Sequence, residues 1–315
     1  MATSGSVDFQ HSRSTLIEHA LRICGVLREG VSASANQLTT GAISLNTILK
    51  AFQASGMPLW AIKEGAVFPL HNVNSVTLGP SGGHAATTWV ETTLTAASAA
   101  SDTTLTVASI TGISASDQIG IELDNGNIDW TTVNGAPSGS TVTITTGVTT
   151  AAASGNHVYT YTSKTVRPLK IVQASWFDYE QDEDTPINII TRDEWIRLTD
   201  KEVEGTKANQ IYYDPQLTRG IVYFYPRFQN GDGIIKIWFQ RPFEDMDAAG
   251  DNLDFPQEWE SAIVWELAAC LAPEHGVPAR KAKMIQDKAL YEKQKVEEFG
   301  NEEGSVYLMP ERRSR

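Results

Sequence analysis

Six histidines, two cysteines and 38 carboxylates are the side chains of this 315-residue chain that could carry chemistry. A nucleophilic serine needs a base within hydrogen-bond reach. Serines stand near two histidines, in Pro80-Ser-Gly-Gly-His84 and Ser154-Gly-Asn-His157. Both are turn-type sequences, and no G-x-S-x-G elbow occurs; with this many carboxylates, chance proximity accounts for any Ser-His-Asp grouping. A phosphate cradle needs a glycine-rich loop between a strand and a helix. Gly231-Asp-Gly233 instead reads as a hairpin turn between two apolar runs. Asp124-Asn-Gly-Asn-Ile-Asp129 begins like a calcium loop but lacks the right third and fifth ligands and the distal glutamate. Carboxylate pairs such as Glu258 with Glu260, or Glu302 with Glu303, have the types needed for glycoside hydrolysis, yet no aromatic-lined cleft is readable around them. Cys24 and Cys270 belong to no Cys-x-x-Cys or Cys/His cluster. Both sit among apolar residues of predicted helices and read as buried small hydrophobes of a reducing compartment. The expectation is a protein that is not an enzyme and uses no metal or cofactor.

Charge narrows the class further. Lys and Arg number 25 against 38 Asp and Glu, a net charge of −13. Gripping a phosphate backbone takes clustered cations, so nucleic-acid binding is not the main task; letting DNA pass without sticking is compatible. No apolar run is long enough to span a bilayer, and residues 1–10 have neither the basic start nor the apolar core of a signal peptide.

These residues must be positioned by a scaffold, and the stretch 253–276 is its centre. Asp254 is placed to cap a helix with Gln257 three residues on, Pro256 falls in the first turn, and Pro273 and Gly276 close it. Trp259, Ile263, Leu267, Cys270 and Leu271 make one apolar stripe, with Val264 and Trp265 off it. A helix apolar on more than one side is buried on more than one side, so part of it can pack on a neighbouring subunit. Glu266 lies on the apolar side and is expected to have a partner.

Two amphipathic helices precede it. One covers 12–28, with Leu16, Ile17, Ala20, Leu21, Cys24 and Leu27 inward. The other runs to about 55 behind a Ser34/Gln37 capping box, with Leu38, Ala42, Leu45, Ile48, Leu49 and Phe52 inward. Between Lys63 and Lys164 there is no Lys or Arg. Short alternating runs at 104–107, 118–123, 141–145 and 157–161, separated by turn sequences, predict a small all-β sandwich or barrel over 90–163. Residues 164–252 read as mixed: strands at 169–172, 211–213, 220–225 and 234–239, an acidic loop at 178–184, and a short helix capped by Thr191 and Glu194. A last helix spans about 278–299, followed by a non-periodic tail. The fold class is therefore α+β: a helical core (hairpin 1–64, helices 253–299), connecting strands 65–89, an inserted small all-β domain 90–163, a mixed β region 164–252 and an extended tail 300–315.

Four stretches carry a resemblance to a known family. They are the run Leu49-Lys-Ala-Phe-Gln-Ala-Ser-Gly-Met-Pro-Leu-Trp60; Arg167-Pro-Leu-Lys-Ile-Val-Gln-Ala174; Ile190-Thr-Arg-Asp-Glu-Trp-Ile-Arg-Leu198 with Lys201 and Gly205, continuing through Tyr212-Tyr-Asp-Pro-Gln216 to Gly220 and Tyr223-Phe-Tyr-Pro226; and residues 253–276. In order and spacing they resemble the head-to-tail adaptor, or tail accessory factor, family of podovirus-type phages. The resemblance spans most of the chain except roughly 75–163.

The resemblance implies a head-completion protein of the virion, made in the host cytoplasm and placed at the head–tail junction. Such proteins form a ring, typically dodecameric, under the portal. The ring extends the DNA channel, helps retain packaged DNA and gives the tail hub or nozzle a platform, with no membrane involved. By it, 300–315 is the portal-binding arm, with Tyr307, Leu308, Met309, Arg312 and Arg313 as anchors. Trp265, Glu266 and Trp259 are subunit-interface candidates. Asp178, Glu180, Asp182, Glu183 and Asp184 are candidates for a ring of charge that repels phosphates in the channel; a solvated acidic loop is the plainer reading. The alternative function is a virion-borne host-surface or glycan-binding module in the 90–163 domain, with Trp89 and Trp130 stacking on sugars instead of filling its core.

Overall fold

A computed structural model describes residues 9–55, 59–68, 70–179, 181–228 and 233–299. The fold is α+β. The chain opens with helices α1 (Arg13–Cys24) and α2 (Ala35–Ser55) and a 3₁₀ turn, Leu59–Ala61. Strands β1 (Ile62–Val67), β2 (Ser75–Leu78) and β3 (Ala85–Ala86) follow. Six short strands come next: β4 (Val90–Thr93), β5 (Thr104–Thr106), β6 (Gln118–Glu122), β7 (Ile128–Thr132), β8 (Thr141–Thr143) and β9 (His157–Tyr161). Then come β10 (Lys170–Asp178), β11 (Glu183–Pro186), β12 (Asn188–Ile189), α3 (Arg192–Arg197) and β13 (Glu204–Gly205). They are followed by β14 (Gln210–Pro215), β15 (Gly220–Tyr225), β16 (Arg227–Phe228) and β17 (Gly233–Gln240). A 3₁₀ turn, Gln257–Trp259, leads into α4 (Glu260–Glu274) and α5 (Ala279–Phe299). Two compact units result: a helical one up to Ala61 and from Phe243, and a β unit, Ile62–Pro242.

In the helical unit the predicted faces are inward. Leu16, Ile17, Leu21, Leu45, Leu49 and Phe52 share one core with Ile263, Leu267 and Leu271 of α4 and Ile285 and Val296 of α5. α1 stops after Cys24, shorter than its pattern, because Gly25 takes the left-handed conformation (φ 77°) that lets its backbone N–H cap the last turn. α2 starts on the expected box: Gln37 N–H donates to Ser34 Oγ at 3.4 Å and Ser34 N–H to Gln37 Oε1 at 2.9 Å. Gly41 lets α1 and α2 approach, since a Cβ there would lie 2.5 Å from Ile17 Cγ2.

The β unit holds a two-sheet sandwich and a barrel. One sheet has the order β11-β10-β17-β1-β3 and the other β12-β14-β15-β2. Alternate residues Ile235, Ile237 and Phe239 of β17 face Ile211, Val222 and Phe224 of the second sheet across the core. The runs 220–225 and 234–239 do not form the expected hairpin. β15 pairs with β14 and β2, β17 with β10 and β1. The chain changes sheets between them, after β16 pairs with β13; residues 230–232 of the predicted turn lie outside the described residues.

The six short strands close on themselves. β4-β9-β6-β7 form one sheet and β5-β8 a second. Bridges Leu94↔Val107 and Val133↔Ile144 join β4 to β5 and β7 to β8. The result is an antiparallel barrel without a free long edge, filled by Leu105, Val107, Ile119, Ile121, Val142 and Val158. β4 and β7 add to the four strands that the alternating runs predict; β7 begins at Ile128, inside the Asp124–Asp129 segment.

Candidate functional site

α4 positions the three interface candidates, and the structure redistributes their roles. Asp254 Oδ2 accepts the Glu244 N–H at 3.0 Å, and the residue at the head of the 3₁₀ turn is Pro256, with the α-helix proper beginning at Glu260. Pro273 sits inside the last turn, and Gly276 (φ 64°) follows the end. Trp259 is 6 % exposed, locked among Phe52, Phe255 and Trp60 at ring-centroid distances of 5.8, 5.7 and 6.2 Å. It is a core residue with almost no surface to offer a neighbour. Trp265 packs half-buried against the same core.

Glu266 is half-buried and has no ion pair or hydrogen-bond partner among the described residues, contrary to expectation. On the same helix it is the buried Glu260, six residues earlier, that has a partner, pairing with His11 Nδ1. Their separation of 249 residues hides that pair from any local pattern. Cys270 is exposed, correcting its assignment to the apolar stripe. Cys24 is buried, its Sγ donating to the Ala268 carbonyl at 3.2 Å. Burial raises the Cys24 pKa, with Lys281 opposing.

The free apolar surface of this unit lies elsewhere. Met284, Leu290 and Tyr291 of α5 and Ile43 of α2 are more than half exposed. Arg280, Met284, Lys288, Tyr291 and Lys295 run down one side of α5 at helical spacing, with Lys288 Nζ 4.9 Å from the Tyr291 ring centroid. Met, Tyr and Arg are the side chains enriched at interfaces.

The acidic segment is a loop only between its ends: Asp178 belongs to β10, and Glu183 and Asp184 belong to β11, which pairs with it. Asp178 ends β10, buried, with Lys207 Nζ at 3.6 Å. Asp184, in β11, accepts from Ser175 Oγ at 2.8 Å and Lys236 Nζ at 3.2 Å. Two of the candidate charges are thus compensated. Asp182 and Glu183 are exposed; Glu180 lies outside the described residues, as do Tyr307, Leu308, Met309, Arg312 and Arg313 of the tail.

The barrel meets the sandwich through aromatic rings. Phe68, Trp130, Tyr159 and Tyr161 pack with Ala66, Ala86 and Ile234. Trp130 stacks on His84 at 3.9 Å, near-parallel at 7°, above Gly120, where a Cβ would meet the indole at 2.7 Å. His84 Nδ1 is 2.7 Å from the Tyr161 hydroxyl. Burial, with Lys164 adding, lowers the His84 pKa to about 4, and burial raises that of Tyr161. A neutral imidazole accepting the tyrosine proton fits both shifts. Trp89 Nε1 donates to the Tyr179 hydroxyl at 3.0 Å, and burial pushes Tyr179 up to about 12. Beside it, His157 Nδ1 pairs with Glu91 at 2.7 Å. The two tryptophans pack, partly buried, against the core that joins the barrel to the sandwich, in line with the reading of both as core residues.

Asp124 accepts from Ala153 N–H at 2.7 Å and Asp129 from Thr149 N–H at 2.6 Å, so both brace turns. Among the described residues no three His, Cys, Asp or Glu gather where they could hold a metal ion, and no helix is long and apolar enough to cross a membrane.

No protein-family model matches this chain, and no curated protein does. Among solved structures it is similar to the Gp54 tailspike of Acinetobacter baumannii bacteriophage AP22, determined in complex with A. baumannii capsular saccharide. The identity is 15 %, over 25 % of this chain and 16 % of that chain, with a TM-score of 0.23. A likeness of that extent assigns neither fold nor function.

Proposed function

We propose that this chain is a structural subunit of a tailed-phage virion: a head-to-tail adaptor that forms a ring under the portal, extends the DNA channel and carries the tail hub or nozzle. The observation that carries the reading is how the four family-like stretches fall on the fold. The first and last build the helical unit, as the end of α2 with Trp60 and as the 3₁₀ turn with α4. The middle two build the sandwich, as β10 and as α3, β14 and β15. The barrel is the part outside the resemblance and has its own core. Heterologous ring contacts need two different faces per subunit; the exposed side of α5 supports one. The net charge of −13 suits a channel that DNA slides through.

The test is assembly of the full-length chain with the portal protein of the same phage, scored by mass photometry and negative-stain imaging. The proposal expects a ring on the portal that is lost when residues 300–315 are deleted. A monomer that ignores portal would overturn it. Against the glycan-binding alternative through the barrel, Trp89 and Trp130 each have an internal contact, to Tyr179 and His84.

A further inference from the structure

We infer that the sandwich carries a binding cleft for a neutral saccharide, separate from the barrel. β11 pairs with β10 only over Ser175 to Asp178. The next residues leave it, and β12 joins the opposite sheet beside β14. A cleft of about 500 Å³ opens where the two part, lined by Gln173, Ser175, Asp184, Ile187, Asn188 and Trp238 among others. That volume lies in the range of small-molecule sites. At the same place β10 carries a bulge between Ile171 and Gln173, which sets Gln173 in register with Trp238 of β17. Bulges re-aim side chains in this way, and they concentrate next to sites.

The chemistry of the lining selects the ligand. Trp238 is half-buried and gives an apolar aromatic face. The side-chain amides of Gln173 and Asn188 are exposed and have no hydrogen-bond partner among the described residues. Each offers donors and an acceptor side by side, the pattern of vicinal hydroxyls. Asp184 is held by Ser175 and Lys236 and retains acceptor capacity. No Lys or Arg is among the lining residues; Lys236, which pairs with the lining Asp184, also lies 3.4 Å from the Phe177 ring centroid. Glu64 pairs with Trp238 from the other strand. A phosphate or carboxylate ligand would find no cation in the lining. An uncharged ring with one apolar face and several hydroxyls matches every group.

The test uses the full-length chain and three neutral probes, maltotriose, chitotriose and lactose, in saturation-transfer NMR and calorimetry. At least one should bind saturably. Its affinity should change less than about twofold between 0.05 and 0.5 M salt, because no ion pair is involved. Trp238→Ala should weaken it by at least about tenfold, through loss of the stacking face. Asn188→Ala, at an exposed position that leaves the core untouched, should weaken it about three- to tenfold. Trp89→Phe should leave it unchanged. No saturable binding of any probe, or binding that survives both Trp238→Ala and Asn188→Ala, overturns the assignment. So does a preference for sialyllactose over lactose. None of these outcomes bears on ring formation, which is scored separately.

Discussion

The barrel–sandwich junction should weaken in acid through one residue. His84 is stacked on Trp130, bonded to Tyr161 and near Lys164, and its pKa falls from 6.5 to about 4. Between those values the unfolded chain takes up a proton there that the folded chain refuses. Stability is therefore full above about pH 6.5, declines as pH falls, and has lost the whole increment below about pH 4. Each pH unit of difference corresponds to about 1.4 kcal/mol. The gap sets an upper bound of about 3–4 kcal/mol, which solvent screening of this partly exposed ring reduces to about 2 kcal/mol. For a unit of this size that is a fall of about 4–8 °C in melting temperature. Other titrating groups contribute too, so the informative quantity is a difference. Calorimetric melting of the full chain at pH 7 and pH 4 is compared with that of His84→Gln, which keeps an amide acceptor but does not titrate. The β-unit transition of the variant should fall less than that of the wild type by about 2 kcal/mol. Equal pH dependence in the two proteins would refute the assignment of a neutral His84 held at this junction.

In the helical unit, Gly41→Val should cost about 1–3 kcal/mol in urea unfolding, because its Cβ strikes Ile17 Cγ2. Adding Ile17→Ala should recover part of that cost, and strict additivity would contradict the packing. Trp259→Ala should cost about 3–5 kcal/mol by emptying the aromatic cluster. A change under about 1 kcal/mol would mean the ring is not core. The double variant Met284→Asp/Tyr291→Asp should melt like the wild type while abolishing ring formation on the portal; rings of normal yield would remove α5 from the interface.

Local grammar made much of the helical unit legible. The inward faces of α1 and α2 and the Ser34/Gln37 box depend on residues three or four apart, and each recurs in the structure. The Thr191/Glu194 box on α3 does too. What stayed hidden depends on partners far along the chain. Asp254 has cap-type chemistry, but its contact with the Glu244 N–H, ten residues earlier, is not readable from the helix pattern. Cys270 lies on an apolar stripe by spacing, yet among the described residues it is exposed. Asn230-Gly-Asp-Gly233 looks like a hairpin turn because turn residues report only a change of direction, and both flanking strands found better partners in different sheets. Closure of the barrel is likewise a long-range event. The acidic segment read as a loop because Lys207 and Lys236, which hold Asp178 and Asp184 in strands, come 29 and 52 residues later. The cleft around Trp238 exists only where β11 and β12 part, so no stretch of sequence announces it.

The central claim is that this chain is one subunit of a ring on a portal. Imaging the full-length protein with its cognate portal, in vitreous ice and without imposed symmetry, tests it most directly. The account predicts a closed ring coaxial with the portal, typically of twelve copies, with the α1–α2 and α4–α5 helices side by side around an open channel. Particles in which the portal is bare, and the chain remains monomeric at every concentration tried, would contradict it.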